Sequence, residues 1–470
     1  MSNYEPAKRG DDVLFRVVQR DLSTFLALAE QRGRPVPRHV ERELTSYLAC
    51  GIPGQGFTLL RCTECSGYRV VAFTCKGRGF CPSCGGRQMN EQAAHLVDRV
   101  IPDVPVRQWV LTFPFPLRLR LAWDMDLRRA VHGVVRRVIY RWYQRQATSD
   151  GVADGECGSV TFIQNFGSAL KLNVHLHILV LDGVYAWRQQ AGLAFHRVPA
   201  PTDDEVQEVV DEIAIRTERL LRRRGLLDDD QDDEEPEDGQ LLMMAASAAG
   251  RAALGLRAGR RPRCLRGPAR LRRPLPPRCA RSGYFNLHAG VAVAATDREA
   301  LERLIRYTAR PPLSLDRLRE LDDGRVVVRF KRAWTDGTSA VVLTGVELLE
   351  RLAALVGRPR TKRVVYGGVL APAATWRPFV VAHAPRPEER TALAPHRKHK
   401  HSKSPYISWR KLLWRVFAVD PFVCHECDGR MRVHAVVRGF WATRRVLGCL
   451  RVSSVVAGPA PARAPPLAAA

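Results

Sequence analysis

Two CxxC pairs, Cys62–Cys65 and Cys81–Cys84, stand in the pattern C-x2-C-x15-C-x2-C inside a stretch, Cys50 to Gly86, crowded with glycine and aromatic residues. Two knuckles offering four thiolates suit a tetrahedral Zn²⁺, and the spacing is that of structural zinc sites. The stretch is therefore expected to fold as a small metal-tied module. Gly67 and Gly85–Gly86 follow the knuckles, where tight turns need small residues. A closed four-thiolate site leaves no open position for chemistry, so its expected role is folding. Cys50 and Cys75 lie in or near the same module. They either join a second metal or pack, and packing is the simpler expectation. A further CxxC, Cys424–Cys427, opens CHECDGRMRV with no second CxxC after it. With His434 and Cys449 as candidate partners, it reads as a degenerate zinc knuckle or as a metal-free turn. Twelve cysteines, behind an N-terminus (Met1 to Gly10) without an apolar signal core, point to a reducing compartment and to metal rather than disulfides.

Charge narrows the partner. Lys and Arg number 74 against 48 Asp and Glu, a net charge of +26, and the pI is near 10.3. Phosphates attract such an excess and release counterions on binding, so a polyanion is the expected partner. A G+C-rich gene, which inflates Arg, would push the composition the same way. Lys76, Arg78 and Arg87, interleaved with the knuckles, would let the zinc module touch a nucleic-acid backbone. Nothing approaches the roughly 18 consecutive apolar residues of a membrane span; Leu241–Gly250 is the most apolar stretch and falls far short. The expectation is no membrane.

Periodicity places the elements. Helical spacing runs over Asp11–Glu30, Asn90–Val100, Asp124–Ala147 and Thr202–Arg224. The third is the strongest, with Leu127, Val131, Val134, Val135, Val138 and Trp142 on one stripe. Arg107–Phe113, Ser159–Phe166 and Leu172–Tyr185 read as strands, and the short Gly167–Lys171 connection predicts a hairpin. Asp228–Asp238 is an acidic run, expected as a solvated loop. Arg and Pro dominate 257–281, which has no acid and no helical or strand period. This stretch is either a disordered basic linker or the product of compensated frameshifts in a decaying gene.

On the third predicted strand, Leu172–Tyr185, NVHLHILVLDGVY sets His175 and His177 two apart, so both rings project from one face. They are either two metal ligands or a pair of exposed strand histidines. The chain resembles rolling-circle HUH transposases of the insertion-sequence-91-like and common-region (ISCR) type. The matching stretches run in order from RCTECSGYRVVAFTCKGRGFCPSCGGRQM through VPVRQWVLTFPFPLRLRLAWD, VTFIQNFGSALKLNVHLHILVLDGVY, FNLHAGVAV, LIRYTARPPLSLDRL and FKRAWTDGT to VVYGGVLAP, about Cys50 to Arg377. The resemblance implies an α+β fold: an N-terminal zinc-binding module plus an HUH endonuclease-type antiparallel sheet flanked by helices. It implies structural Zn²⁺ on Cys62, Cys65, Cys81 and Cys84, and a catalytic Mg²⁺ or Mn²⁺ on His175 and His177. A third ligand comes from a neighbouring strand in such enzymes, and Gln164 is the candidate here. It also implies DNA as partner, single-stranded or hairpin element ends above all, and a bacterial cytoplasmic, nucleoid-associated location. Oligomeric state stays open.

The nucleophile implied is Tyr307. Thr296–Glu299 reads as a capping box opening a helix with Leu301, Leu304 and Ile305 buried, stopped by Pro311 and Pro312. At 3.6 residues per turn Tyr307 falls towards the polar face, with Arg303, Arg306 and Arg310. Some family members carry two tyrosines four residues apart on this helix; here Arg303 holds the earlier position, which matches the single-tyrosine branch. Lys331 and Arg332 match family positions without an assigned role. The expected organisation is 1–100 N-terminal helices and zinc module, 101–225 catalytic core, 226–283 acidic then Arg/Pro-rich linker, 284–384 core with the tyrosine helix, 385–457 basic linker and C-terminal CxxC segment, and 458–470 disordered tail. The alternatives are a plasmid replication initiator or relaxase with the same chemistry, and a non-catalytic zinc-dependent DNA-binding protein.

Overall fold

The computed structural model describes residues 12–188, 192–227, 237–269, 274–381, 408–417, 420–452 and 458–463. Helix α1 (Val13–Gln31) begins where the Asp12 carboxylate accepts the Leu14 and Phe15 amides, and α2 (Arg38–Ala49) follows. Strands β1 (Phe57–Cys62) and β2 (Tyr68–Ala72) pair antiparallel. Helix α3 (Pro82–Arg99) starts on a proline, whose missing amide costs nothing at a helix N-terminus.

The chain continues with β3 (Val106–Thr112), α4 (Phe115–Trp123), α5 (Met125–Ser149), β4 (Gly158–Phe166) and β5 (Leu172–Leu181). β4 and β5 form the expected hairpin. A ribbon of β6 (Gly183–Arg188) and β7 (Gly192–Arg197) precedes α6 (Asp203–Arg223), which opens with a Thr202/Glu205 capping box. Then come α7 (Gly239–Ala249), β8 (Arg263–Arg266), β9 (Cys279–Ser282), β10 (Phe285–Val293) and α8 (Arg298–Ala309). The chain proceeds through β11 (Leu318–Glu320), β12 (Val326–Arg329), β13 (Thr338–Leu343), α9 (Gly345–Leu355), β14 (Val364–Gly368) and α10 (Arg377–Val380). It closes with α11 (Trp409–Phe417), β15 (Met431–Val437) and α12 (Phe440–Cys449). Among the described residues no helix is long and apolar enough to cross a membrane.

A six-stranded antiparallel sheet, ordered β14-β4-β5-β3-β10-β9, forms the centre. Side chains alternate across it. Val174, Leu176, Ile178 and Val180 of β5 enter the larger core with Trp109 and with Val135 and Trp142 of α5. Leu179 and Leu181 point the other way, onto Leu96 and Val97 of α3 and Leu301 and Ile305 of α8. The fold is thus mixed α/β, an N-terminal cysteine-rich domain joined to an antiparallel sheet with helices on both faces.

One buried polar network locks the sheet to α5. Arg107 on β3 donates to both Asp182 carboxylate oxygens at 2.8 and 2.9 Å and to the Ala289 carbonyl at 3.0 Å. Tyr143 of α5 donates to the same carboxylate at 2.9 Å. The ion-paired side chains are only 5% and 2% exposed. Asp182→Ala strands a guanidinium in the interior, and its expected cost is about 3–5 kcal/mol in denaturant unfolding. A cost below about 1 kcal/mol would mean that water or another group takes over the pairing.

Several sequence expectations are corrected. Segment 226–283 is no linker throughout. Helix α7 buries Leu242, Met243 and Met244, and the Ser247 hydroxyl accepts the Leu172 amide at 3.0 Å. The Arg/Pro-rich stretch supplies two strands, β8 on β13 and β9 on β10. All four β8 residues are exposed, so mainly backbone pairing holds this edge, with the Ser339 hydroxyl donating to the Leu265 carbonyl at 3.3 Å, and no side-chain alternation marks it. Helix α8 is capped by Asp297, which accepts the Ala300 amide at 2.8 Å, rather than by a Thr296 box. The C-terminal segment is not separate, because β15 pairs with β1. Nor are residues 458–463 detached. The Ala460 amide donates to the Gln19 carbonyl at 2.7 Å and the Arg463 amide to the Thr24 hydroxyl at 2.9 Å, both on α1. Most of the acidic run and the whole basic linker, 385–404, lie outside the described residues.

Candidate active site and cysteine clusters

Alternation on β5 places His175 and His177 on the α3/α8 face, the rings 4.9 Å apart. Residue pairing then brings two neighbours to the same face. Gln164 of β4 stands opposite His175, and Gln108 of β3 reaches His177, its amide nitrogen 3.0 Å from Nδ1. Nδ1 of His175 lies 2.9 Å from the Asn173 carbonyl, which can only accept, so the proton sits on Nδ1 and Nε2 keeps its lone pair. With the Gln108 amide turned over, its oxygen accepts from Nδ1 of His177 and frees that Nε2 likewise. Burial, then His175 and Arg310, hold His177 down to about 3; burial also lowers His175. Both rings are neutral at physiological pH, the form that binds metal. Gln164 is buried, gives its amide hydrogen to the Thr308 carbonyl and leaves its side-chain oxygen without a hydrogen-bond partner. Two neutral imidazoles and an orphaned amide oxygen fit a divalent cation.

Helix α8 lies across this face. Its buried side is Leu301, Ile305 and Thr308, and Tyr307 is 45% exposed. The Tyr307 ring meets the His177 ring edge to face, centroids 6.0 Å apart. Two cations stand over the tyrosine ring, Arg310 at 4.7 Å and Lys331 at 5.6 Å. Of the three arginines expected beside Tyr307, Arg310 alone has this contact. Arg303 and Arg306 pair with Glu299 and Glu302 on their own helix. Gln108 was missed in the sequence because nothing local distinguishes a glutamine that supports a histidine from any other strand residue.

A groove of about 1150 Å³ opens beside this site. It runs from Cys75 and Cys84 past Gln164 and Thr308 to Arg358, Lys362 and Arg363. Arg42, Lys76, Arg78 and Arg87 line it as well, against the acids Glu43 and Glu91. Its basic lining suits a phosphate backbone.

The cysteines are not arranged as the spacing suggests. Cys62 and Cys65 do not share a site with Cys81 and Cys84. Instead Cys50, Cys75, Cys81 and Cys84 form one cluster, and Cys62, Cys65, Cys424 and Cys427 another. In the first, Sγ separations are 3.8 Å for Cys50–Cys84, 3.4 Å for Cys75–Cys84 and 3.6 Å for Cys50–Cys81. Four sulfurs about 2.3 Å from a tetrahedral Zn²⁺ stand about 3.8 Å apart, so the cluster fits the ion. The physical reason for the regrouping is local geometry. The β1–β2 hairpin carries its knuckle away from α3, while the C-terminus of α2 delivers Cys50 to the Cys81–Cys84 knuckle. Cys50 and Cys75 are therefore ligand candidates rather than packing thiols. His434 packs on Tyr68 instead of joining Cys424 and Cys427.

Two family models match the chain. One, described as “Putative transposase” (Y2_Tnp), covers residues 158–376. The other, a transposase zinc-binding domain (Zn_Tnp_IS91), covers residues 19–113. The histidine pair, Gln164 and Tyr307 fall inside the first, and the Cys50/75/81/84 cluster inside the second. No curated protein and no solved structure matches.

Proposed function

The chain belongs to the insertion-sequence-91-like transposase family, and we propose that it nicks single-stranded or hairpin DNA at element ends through Tyr307 and passes the strand on by rolling-circle transposition. The observation that carries the reading is the edge-to-face contact of Tyr307 with His177, with His175 beside it on the same strand face. The tyrosine oxygen attacks the scissile phosphorus. An O–P bond to Tyr307 forms as the bond to the 3′ oxygen breaks, and that oxygen takes up a proton. The product is a 5′-phosphotyrosine and a free 3′ hydroxyl; no water is consumed, so the bond energy is kept for rejoining. Arg310 and Lys331 set positive charge over the Tyr307 ring, where it would favour the negative charge that develops during attack. His175, His177 and Gln164 would hold a divalent cation, which when bound polarises the phosphate. The basic groove draws the strand in. A single nucleophile in a cytoplasmic, nucleoid-associated enzyme fits the presence of Arg303 where a second tyrosine would stand.

The test is nicking of a labelled single-stranded element-end oligonucleotide in Mn²⁺. His175→Ala and His177→Ala are each expected to lower cleavage at least about 100-fold while DNA binding stays within about twofold, because affinity comes from Lys and Arg. Parallel loss of binding and cleavage would assign the histidines to folding and favour a non-catalytic DNA-binding protein.

A further inference from the structure

Cys424 and Cys427 lie outside both segments that the family models match, yet the fold brings them to Cys62 and Cys65. We propose that these four cysteines form a second structural zinc site, which clasps the C-terminal segment onto the N-terminal domain. Cys62 and Cys427 sulfurs stand 3.5 Å apart and Cys65 and Cys424 sulfurs 3.6 Å apart, close to the edge of a zinc–thiolate tetrahedron. These separations are too long for a disulfide bond, which is about 2.05 Å.

The two knuckles repeat one geometry, an independent sign of a shared ion. The Cys62 amide donates to the Gly67 carbonyl at 2.8 Å, and the Cys424 amide donates to the Gly429 carbonyl at 2.8 Å. The residue after each second cysteine is left-handed although not glycine, Ser66 at φ 60° and Asp428 at φ 55°. A non-glycine residue adopts that conformation at a cost, and both knuckles accept it at the same place. The Glu64 amide also points at the Cys62 sulfur, 3.4 Å away, as donors to thiolates do.

The neighbouring contacts show what the clasp holds. β15 pairs with β1 in the register Cys62 to Met431. The Thr443 hydroxyl of α12 donates to the Gly54 carbonyl at 3.1 Å. From α11, Arg415 reaches Asp98 of α3 at 2.6 Å and also bonds Glu302 on the tyrosine helix. The segment thus touches both the N-terminal domain and the helix that carries Tyr307. The second site differs from the first in exposure. Cys65 and Cys427 are exposed, whereas Cys50, Cys81 and Cys84 are all buried. Chelators and thiol reagents therefore reach the clasp first.

Elemental analysis of the purified full chain is expected to find two zinc ions per chain. Cys424→Ser with Cys427→Ser leaves one, and trypsin then cuts at Arg430, Arg432, Arg444 or Arg445 at least tenfold faster, as local opening of that unit predicts. Cys427→His, which keeps a ligand, retains two ions and the protection, so general misfolding is told apart from loss of the site. A serine pair that retains two ions overturns the proposal. So does a wild-type chain with a single ion that Cys81→Ser removes, or protection unchanged when the second ion is gone. Neither readout involves DNA cleavage, so this result stands or falls apart from the nicking reading.

Discussion

Tyr307→Phe is expected to abolish both strand cleavage and the covalent protein–DNA adduct. In the proposed reaction the phenol oxygen is the atom that bonds to phosphorus, and no other atom of the side chain can replace it. Removing a nucleophile that works with a metal and fixed cations should lower the cleavage rate by roughly 10⁴-fold or more. The substitution keeps the ring, and with it the edge-to-face contact on His177 and the cations of Arg310 and Lys331. Because Tyr307 is half-exposed, folding should be unaffected. The measurement is incubation with a suicide single-stranded substrate, followed by gel shift under denaturing conditions and mass spectrometry of the adduct. Tyr284→Phe and Tyr366→Phe serve as controls and should keep the adduct. An adduct that survives Tyr307→Phe would assign the nucleophile elsewhere. Cleavage with no adduct in the wild-type chain would mean hydrolysis by water, which cannot conserve the bond energy that strand transfer needs.

The second large effect concerns the buried cluster. Cys81→Ser should release the zinc held by Cys50, Cys75, Cys81 and Cys84 and unfold the N-terminal domain. Structural zinc in small modules contributes on the order of 10 kcal/mol or more, about the whole stability of an ordinary domain. The damage should spread, because Cys50, Cys81 and Cys84 belong to the same apolar core as Tyr47 and Phe80, and Pro311, just beyond the tyrosine helix, packs against Gly85 of α3. Loss of the α3 packing would thus reach Tyr307. Zinc content and far-ultraviolet circular dichroism check this together. A Cys81→Ser protein that is metal-depleted yet keeps its helix content and its melting transition would show that the cluster has no structural role.

These two residues illustrate different degrees of legibility. The helix bearing Tyr307 could be read locally, since apolar spacing at Leu301 and Ile305 sets its buried side and leaves the tyrosine on the other. The same holds for His175 and His177, whose period of two puts both on one face of any strand. Which face that would be, and that α8 would lie across it, depended on packing between segments far apart in the chain. Helix α7 was missed because its composition is small and apolar all round, without an amphipathic stripe, as befits an element buried on several sides. β8 was missed because an exposed edge strand needs only backbone partners.

Local chemistry was thus written in the sequence: three CxxC knuckles, a histidine pair on one strand face, a tyrosine on a helix, and an excess of positive charge for a phosphate backbone. Each depends on residues within a few positions of one another, where helix and strand periods act directly. The partnerships among them belong to the tertiary structure. A CxxC knuckle supplies two ligands and is indifferent to the source of the other two, so spacing could not exclude Cys62–Cys65 sharing an ion with Cys81–Cys84. The pairing of β1 with β15, stabilised by burial of Phe57, Leu59 and Val437, brings Cys424 and Cys427 to the first knuckle. The second knuckle is left to Cys50 and Cys75. Contacts between distant segments follow from which surfaces bury most apolar area together, a property of the whole chain and of no short stretch of it.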